Sequence, residues 1–253
     1  METPTPKTSP AAPEAREAEF DRFAAGYDGS MDAPLKGLLG GNQDAYLDVK
    51  ARWLLRDLVR RPLPCGAAPK LLDYGCGAGH LLRALRRLGF AGELAGCDPS
   101  RGMLDEARRA WTGPDAPLLE WMPKDELPFE DARFDLVVAS AVFHHIPPAA
   151  RVHAARESVR VLRPGGRFVI VEHNTKNPVT RFVVKRAKVD ENAILLPSGE
   201  TQALLAAAGL ARPHLEYVMF FPPRFAWASG LEARISWLPL GGQYVATGDR
   251  TRA

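Results

Sequence analysis

Apolar and polar positions follow two alternating periods along most of this chain. Short, almost continuously apolar runs such as Phe134–Ser140 are typical of strands buried on both faces of a parallel sheet. Between them, apolar residues recur every three or four positions, as on one face of a helix. The predicted strands are Lys70–Asp73, Glu93–Cys97, Pro117–Trp121, Phe134–Ser140, Arg167–Glu172, Leu215–Phe221 and Gln243–Thr247. The predicted helices are His80–Leu88, Gly102–Trp111, a segment whose apolar face carries Val152, Val159 and Leu162 before a turn at Arg163–Gly166, and a helix from a Ser198 cap to Gly209.

This alternation predicts an α/β fold in which a mostly parallel, seven-stranded sheet has helices on both faces. Residues 17–61 are predicted to form an N-terminal helical cap in at least two pieces, broken around Gly37–Gly41. Residues 1–16, rich in Pro, Thr, Ala and Glu, are expected to be a disordered tail. The core is then expected to span 62–253, with a mixed basic and apolar insertion at 174–198.

Composition and charge narrow the class of protein. The 253 residues suffice for one α/β domain with additions, and the net charge of +3 is too small to suggest nucleic acid as a partner. Cys65, Cys76 and Cys97 form no CxxC pair and no metal-binding spacing with histidine. With no apolar run long enough for a membrane span and no secretory signal at the start, we expect a reduced, cytoplasmic protein without a metal or a membrane partner. We expect a monomer or a homodimer.

A glycine loop between the first predicted strand and helix indicates a nucleotide-like ligand. Gly75, Gly77 and Gly79 follow the strand at alternate positions, and His80 opens the helix. Glycine allows the backbone to come close to a ligand, and a helix N-terminus favours an anionic or polar one. The dinucleotide fingerprint GxGxxG has a glycine at the sixth position, where this chain has His80.

Asp98 ends the second predicted strand, about twenty residues beyond the loop. A carboxylate there can accept hydrogen bonds from both hydroxyls of a ribose, which suits NAD and S-adenosylmethionine equally well. The alternative is that Asp98 caps the helix ahead of Pro99 and Ser100.

Four segments in order resemble motifs of the class I S-adenosylmethionine-dependent methyltransferases. They are LLDYGCGAGHLL, ELAGCDPSRGML, FDLVVASAVFHHI and VLRPGGRFVIVEH, which together cover about residues 70–173. The resemblance implies a Rossmann-like sheet with an antiparallel C-terminal strand, and a helical lid formed by EFDRFAAGYD near the N-terminus. It also implies S-adenosylmethionine as the cofactor and S-adenosylhomocysteine as its product.

Carried over residue by residue, the resemblance implies a set of cofactor-binding positions. Asp73 would lie near the amino group of the methionine moiety, and Tyr27, Tyr74 or Phe143 could face the sulfonium. Pro123 stands where many relatives have an acidic residue for the adenine, so backbone groups, Asp125 or Met122 would have to replace it. The full implied set is Tyr27, Asp73, Gly75, Cys76, Gly77, Gly79, Asp98, Pro99, Met103, Met122, Pro123 and Ser140.

Three histidines follow strands at the edge where such sheets bind ligands. His144 and His145 come after the fourth strand, and His173 comes after the fifth. Any of them could act as a general base for a hydroxyl acceptor, because histidine titrates near neutral pH. The alternative is a capping or packing role.

The insertion at 174–198 is expected to set acceptor choice, because long loops above the ligand edge tend to be lids. Its basic residues Arg181, Lys185, Arg186 and Lys188 could meet an anionic group or form a solvated face, and Arg224 and Trp227 could line the same cavity. We therefore expect a methyltransferase acting on a small molecule, by O-methylation of a metabolite, sugar or lipid-like natural-product precursor. The alternatives are C- or N-methylation, an NAD-dependent oxidoreductase, and an inactive fold that serves as an interaction module.

Overall fold

The computed structural model describes residues 43–65, 68–122, 126–187, 193–222 and 229–252. Within these ranges the helices are α1 (Gln43–Arg60), α2 (His80–Arg87), α3 (Arg101–Ala110), α4 (Pro148–Val161), α5 (Pro178–Val184), α6 (Ser198–Ala207) and α7 (Ser229–Ile235). The strands are β1 (Leu71–Tyr74), β2 (Leu94–Asp98), β3 (Leu118–Trp121), β4 (Phe134–Ser140), β5 (Leu162–His173), β6 (Ala211–Val218) and β7 (Gln243–Asp249). The predicted tail at 1–16 and the predicted helix break at Gly37–Gly41 lie outside the described residues.

The strands form a single sheet in the order β3-β2-β1-β4-β5-β7-β6. The pairs from β3 to β5 are parallel, whereas β7 runs antiparallel to both β5 and β6. The predicted α/β fold and its antiparallel C-terminal strand are therefore confirmed. Since β2 and β4 lie on opposite sides of β1, the chain changes direction across the sheet next to β1, where open α/β sheets bind ligands.

Successive side chains along each strand point to opposite faces of the sheet, so the strands contribute to two hydrophobic cores, one on each face. In β4, Val137 packs with α4 and α6 on one face, and Val138 packs with α1, α2 and α3 on the other. Because both faces are covered, the central strands are apolar at almost every position. This explains why β4 is the clearest strand in the sequence.

Several boundaries and caps differ from the sequence prediction. The turn predicted at Arg163–Gly166 is part of β5, where Gly165 has φ 82° and the pairing with β4 shifts register. Gly165 donates to the Arg250 carbonyl and Arg250 donates to Gly166, so a neighbouring strand end satisfies this irregular backbone. Helix α6 does begin at Ser198, but Pro197 is its N-cap and the Ser198 hydroxyl bonds to Tyr217 instead. Strand β6 lies earlier than predicted, at Ala211–Val218.

Helix α1 is held to the sheet by buried polar contacts. Asp57 forms an ion pair with Arg167 of β5 at 2.7 Å, and Arg167 also bonds to Asp249 of β7. Trp53 donates its indole N–H to Glu216 of β6 at 2.7 Å. In the part of the chain that is described, no helix combines the length and apolar character needed to cross a membrane.

Candidate functional site

The loop after β1 forms a tight backbone cradle at the carboxyl edge of the sheet. Gly75, Gly77 and Gly79 have φ of 72°, 50° and 73°, a region that side chains with a Cβ rarely adopt. A Cβ at Gly75 would lie 2.7 Å from the Val142 side chain, whereas one at Gly77 would have no neighbour within 4 Å among the described residues. The backbone at Gly77 therefore faces open space, as close approach by a ligand requires. Cys76 is buried beneath it, and its N–H donates to Cys97.

Asp98 ties this loop to the end of β2. One carboxylate oxygen accepts the Gly77 N–H at 2.8 Å, and the other accepts the Ser100 N–H at 2.9 Å. Ser100, and not Asp98, is the N-cap of α3, since its hydroxyl accepts the N–H of Met103. A carboxylate has about four acceptor positions, and the end of β2 lies at the ligand edge of the sheet. Asp98 can thus hold the loop and accept ligand hydroxyls.

Asp73, Lys50 and Ser140 meet where β1 and β4 end. Asp73 is 2% exposed, and burial raises the pKa of its carboxyl to about 8, although the charge of Lys50 opposes this rise and that of Asp98 adds to it. Lys50 reaches this point from α1, and its Nζ donates to the Ser140 hydroxyl at 2.8 Å. A carboxylate, an ammonium group and a hydroxyl are therefore gathered at the sheet crevice.

The three predicted histidines are brought together on the adjacent part of the edge. The ring of His144 lies 4.1 Å from that of His145 and 5.2 Å from that of His173, centroid to centroid. His144 is buried, and its Nδ1 lies 2.5 Å from a carboxylate oxygen of Glu172, whose other oxygen accepts the Phe143 N–H. Burial alone would raise the pKa of Glu172, but the neighbouring His144 outweighs it and holds this pKa below its usual value. His145 and His173 are partly exposed.

Arg151 connects the insertion at 174–198 to the short helical turn Phe143–His145, the histidine turn. This buried guanidinium donates to the carbonyls of Phe143, Ile146 and Ile194. Ile194 in turn donates its N–H to the His144 carbonyl at 2.8 Å. The end of the insertion is therefore fastened to the histidine turn. Arg181, Lys185 and Arg186 are exposed, with Arg186 lying over the ring of Phe182, so they form a solvated face.

The remaining predicted residues divide into three groups. Met103 and Met122 are buried beside Asp98, and the Pro99 carbonyl accepts the indole N–H of Trp121. The rings of Tyr74 and Phe143 are buried in the core with their centroids 6.0 Å apart. Tyr27, Pro123, Asp125, Lys188, Arg224 and Trp227 lie outside the described residues.

Lys50, Arg151 and the capping role of Ser100 were missed by the sequence prediction. A signal for Lys50 was present, because it lies at helical spacing from Trp53, Leu54 and Asp57 on the face of α1 that becomes buried. A charged residue on an apolar face is an indication of a partner. Arg151 carried the same signal, because it lies at helical spacing from the buried Ala154, Ala155 and Ser158 of α4. Its acceptors could not be read from the sequence, since all three are backbone carbonyls.

The residues present fit S-adenosylmethionine better than a dinucleotide. Asp98 suits vicinal hydroxyls, the open backbone at Gly77 admits the nucleoside, and Asp73 with its neighbours suits the charged amino-acid end. The dinucleotide fingerprint requires a glycine at the sixth position of the loop, where this chain has His80.

Comparison with known proteins agrees with this fit. A family model described as "Methyltransferase domain" matches residues 72–170. The chain is 35% identical over 162 residues to the 27-O-demethylrifamycin SV methyltransferase of Amycolatopsis mediterranei, covering 59% of this chain and 57% of that protein. It is 30% identical over 159 residues to a ubiquinone/menaquinone biosynthesis C-methyltransferase of Desulfotalea psychrophila, covering 57% of this chain and 63% of that protein. The chain thus matches less than two thirds of the length of either relative.

Solved structures show the same fold. The S-adenosylmethionine dependent methyltransferase of Mesorhizobium loti superposes with a TM-score of 0.57 at 24% identity, covering 81% of this chain and 100% of that one. The strand order, the glycine cradle with Asp73 and Asp98, and the matched domain point to one conclusion. The matched domain, the relatives and the site together support a class I S-adenosylmethionine-dependent methyltransferase, whose cofactor the site fits.

Proposed function

We propose that this protein transfers the methyl group of S-adenosylmethionine to an oxygen atom of a small-molecule acceptor, such as a metabolite, sugar or lipid-like natural-product precursor. The observation that carries the proposal is the placement of the glycine cradle and three clustered histidines along one sheet edge. The relatives support a small acceptor, since one is named for 27-O-demethylrifamycin SV and the other for quinone biosynthesis. The choice of oxygen over carbon or nitrogen rests on the histidines.

For methyl transfer, the protein mainly has to position the acceptor atom next to the methyl group. When bound, S-adenosylmethionine supplies a methyl group that its sulfonium already activates. Asp98 and the glycine cradle would hold the adenosyl end, and Asp73 with Ser140 would hold the amino-acid end. An acceptor oxygen kept in line with the methyl group would gain much of the rate acceleration from this positioning. The acceptor hydroxyl would lose its proton to a base, for which His145 and His173 are our candidates.

His144 has a different role in this proposal. Its side chain is fully enclosed and held by Glu172, so it supports the neighbouring rings instead of touching the acceptor. Acceptor choice is assigned to the insertion that Arg151 fastens beside these rings.

Cofactor binding provides the first test. Thermal unfolding is measured with S-adenosylmethionine, S-adenosylhomocysteine and NAD, each at saturating concentration. A ligand at about 100 times its Kd adds about 2.7 kcal/mol to the free energy of unfolding, so both adenosyl compounds should raise the Tm. Asp98→Ala should remove most of this ligand-induced shift, whereas Asp105→Ala, on the exposed side of α3, should keep it. Stabilisation by NAD alone would favour an oxidoreductase and contradict the proposal.

The histidine test is kinetic. Acceptors are found by screening small hydroxylated compounds for release of S-adenosylhomocysteine, and turnover is then measured with both substrates saturating. Because general-base catalysis contributes about 100-fold or more, His145→Ala or His173→Ala should lower kcat at least tenfold. If neither variant lowers kcat tenfold, neither His145 nor His173 acts as the general base. In that case carbon or nitrogen acceptors become the better candidates.

A further inference from the structure

Helix α1 places a nearly buried cation at the crevice between β1 and β4. Lys50 is 8% exposed and lies on the same helix face as the buried Trp53 and Leu54. Burying an ammonium group is costly unless it is paired and hydrogen-bonded. A leucine at this position would satisfy the apolar face without that cost, so the charge calls for an explanation.

The partners of Lys50 lie on β1 and β4, two neighbouring parallel strands of the sheet. Its Nζ donates to the hydroxyl of Ser140, at the end of β4, and its charge acts on Asp73 of β1. Tyr74 pairs with Ala139 in the sheet, so Ser140 lies one residue past the end of β1. The ammonium group of Lys50 is therefore fixed beside the glycine cradle.

This arrangement has the charges that a free amino acid requires. An α-amino acid bears an ammonium and a carboxylate on one carbon, and the crevice offers a carboxyl group and an ammonium group within electrostatic reach of each other. Asp73 alone would recognise the ammonium and leave the carboxylate of the ligand next to an acidic residue. A buried lysine supplies the missing complement, because charge-assisted hydrogen bonds to carboxylates are strong and directional.

We propose that Lys50 binds the carboxylate of the amino-acid end of S-adenosylmethionine, which makes α1 a part of the cofactor site. This inference rests on the proposed function. The competing explanation is purely structural, in which Lys50 only neutralises Asp73 and anchors Ser140. The two explanations differ in whether affinity depends on the ligand carboxylate.

The test uses a pair of ligands that differ only in that carboxylate. Binding of S-adenosylmethionine and of decarboxylated S-adenosylmethionine is measured by titration calorimetry for the wild-type chain, Lys50→Met, Lys50→Arg and Arg52→Met. Arg52 is on the exposed side of α1 and is the matched control. Since hydrogen bonds to charged groups contribute about 1.5–3 kcal/mol, the wild type should prefer the carboxylated ligand by about 10- to 150-fold.

Lys50→Met should abolish this preference. Its Kd for the decarboxylated ligand should stay within about threefold of wild type, which is a difference of less than 1 kcal/mol in binding free energy. Lys50→Arg should retain part of the preference, and Arg52→Met all of it. Equal weakening of both ligands by Lys50→Met would indicate the structural role and overturn the inference. Equal affinity of the wild type for the two ligands would also overturn the inference, and this measurement does not depend on whether any variant folds. If the wild type binds neither ligand, the proposed function itself fails.

Discussion

The raised pKa of the buried Asp73 carboxyl indicates a functional site. A carboxyl at the end of a central strand, covered by α1, loses most of its hydration, and this raises its pKa to about 8 despite the charge of Lys50. Such a group is costly to keep in the folded chain. Strongly perturbed pKa values cluster at functional sites, where a ligand compensates for the cost.

We expect this cost to appear as a pH dependence of stability. The folded pKa of about 8 lies above the ordinary value of 3.8, so between these values the folded state binds more protons than the unfolded state. The free energy of unfolding should therefore fall as the pH rises across this window, by at most about 1.4 kcal/mol per pH unit. Asp73→Asn should flatten that slope in urea unfolding without added ligand. Asp105→Asn, a change at an exposed carboxylate, should follow the wild type; equal slopes in all three proteins would contradict the prediction.

At the scale of elements, α1 is joined to the sheet through ionic contacts. Asp57 and Arg167 are both almost completely buried, and Arg167 continues to Asp249, so one chain of contacts links α1, β5 and β7. Arg61 shares Asp57 on the solvent side. This anchoring fixes the direction in which Lys50 reaches the crevice.

The strength of this anchor can be measured. Asp57→Ala removes one of the two carboxylates that pair with the buried Arg167, while Asp249 remains, so we expect a cost of about 1.5–3 kcal/mol in the free energy of unfolding. The matched change, Asp105→Ala, breaks an exposed pair with Arg108 and should cost at most about 1 kcal/mol. Urea unfolding of both variants decides the matter. A similarly small loss in each would mean that the buried pair contributes no more than a surface pair.

The insertion illustrates where element prediction was limited. The sequence shows that this segment interrupts the alternation of strands and helices. It does not show which residues hold the segment against the rest of the chain. The contacts of Arg151 join α4, the histidine turn and Ile194 through backbone carbonyls, which any residue would provide. The position of the insertion therefore depends on a side chain outside it.

At the scale of the whole molecule, the sheet order creates the site. With β2 and β4 on opposite sides of β1, the loops that follow these strands part and leave a crevice at their carboxyl edge. Residues far apart in the chain, from Lys50 to His173, thereby line one continuous edge. The antiparallel β7 and the edge strand β6 complete the sheet and hold α1 through Glu216.

The sequence by itself determined the strands, most of the helices and the groups expected at the ligand edge. Apolar periodicity reflects which faces are buried, and in a parallel sheet the residues that follow the strands share one edge. Asp73, Gly75 and Asp98 are therefore identifiable from strand ends and glycine spacing alone. Only the tertiary structure decided which of these groups meet, because Lys50 and Ser140 are 90 residues apart and nothing local encodes their pairing. It also enclosed His144 against Glu172, since burial and partners follow from how the elements pack.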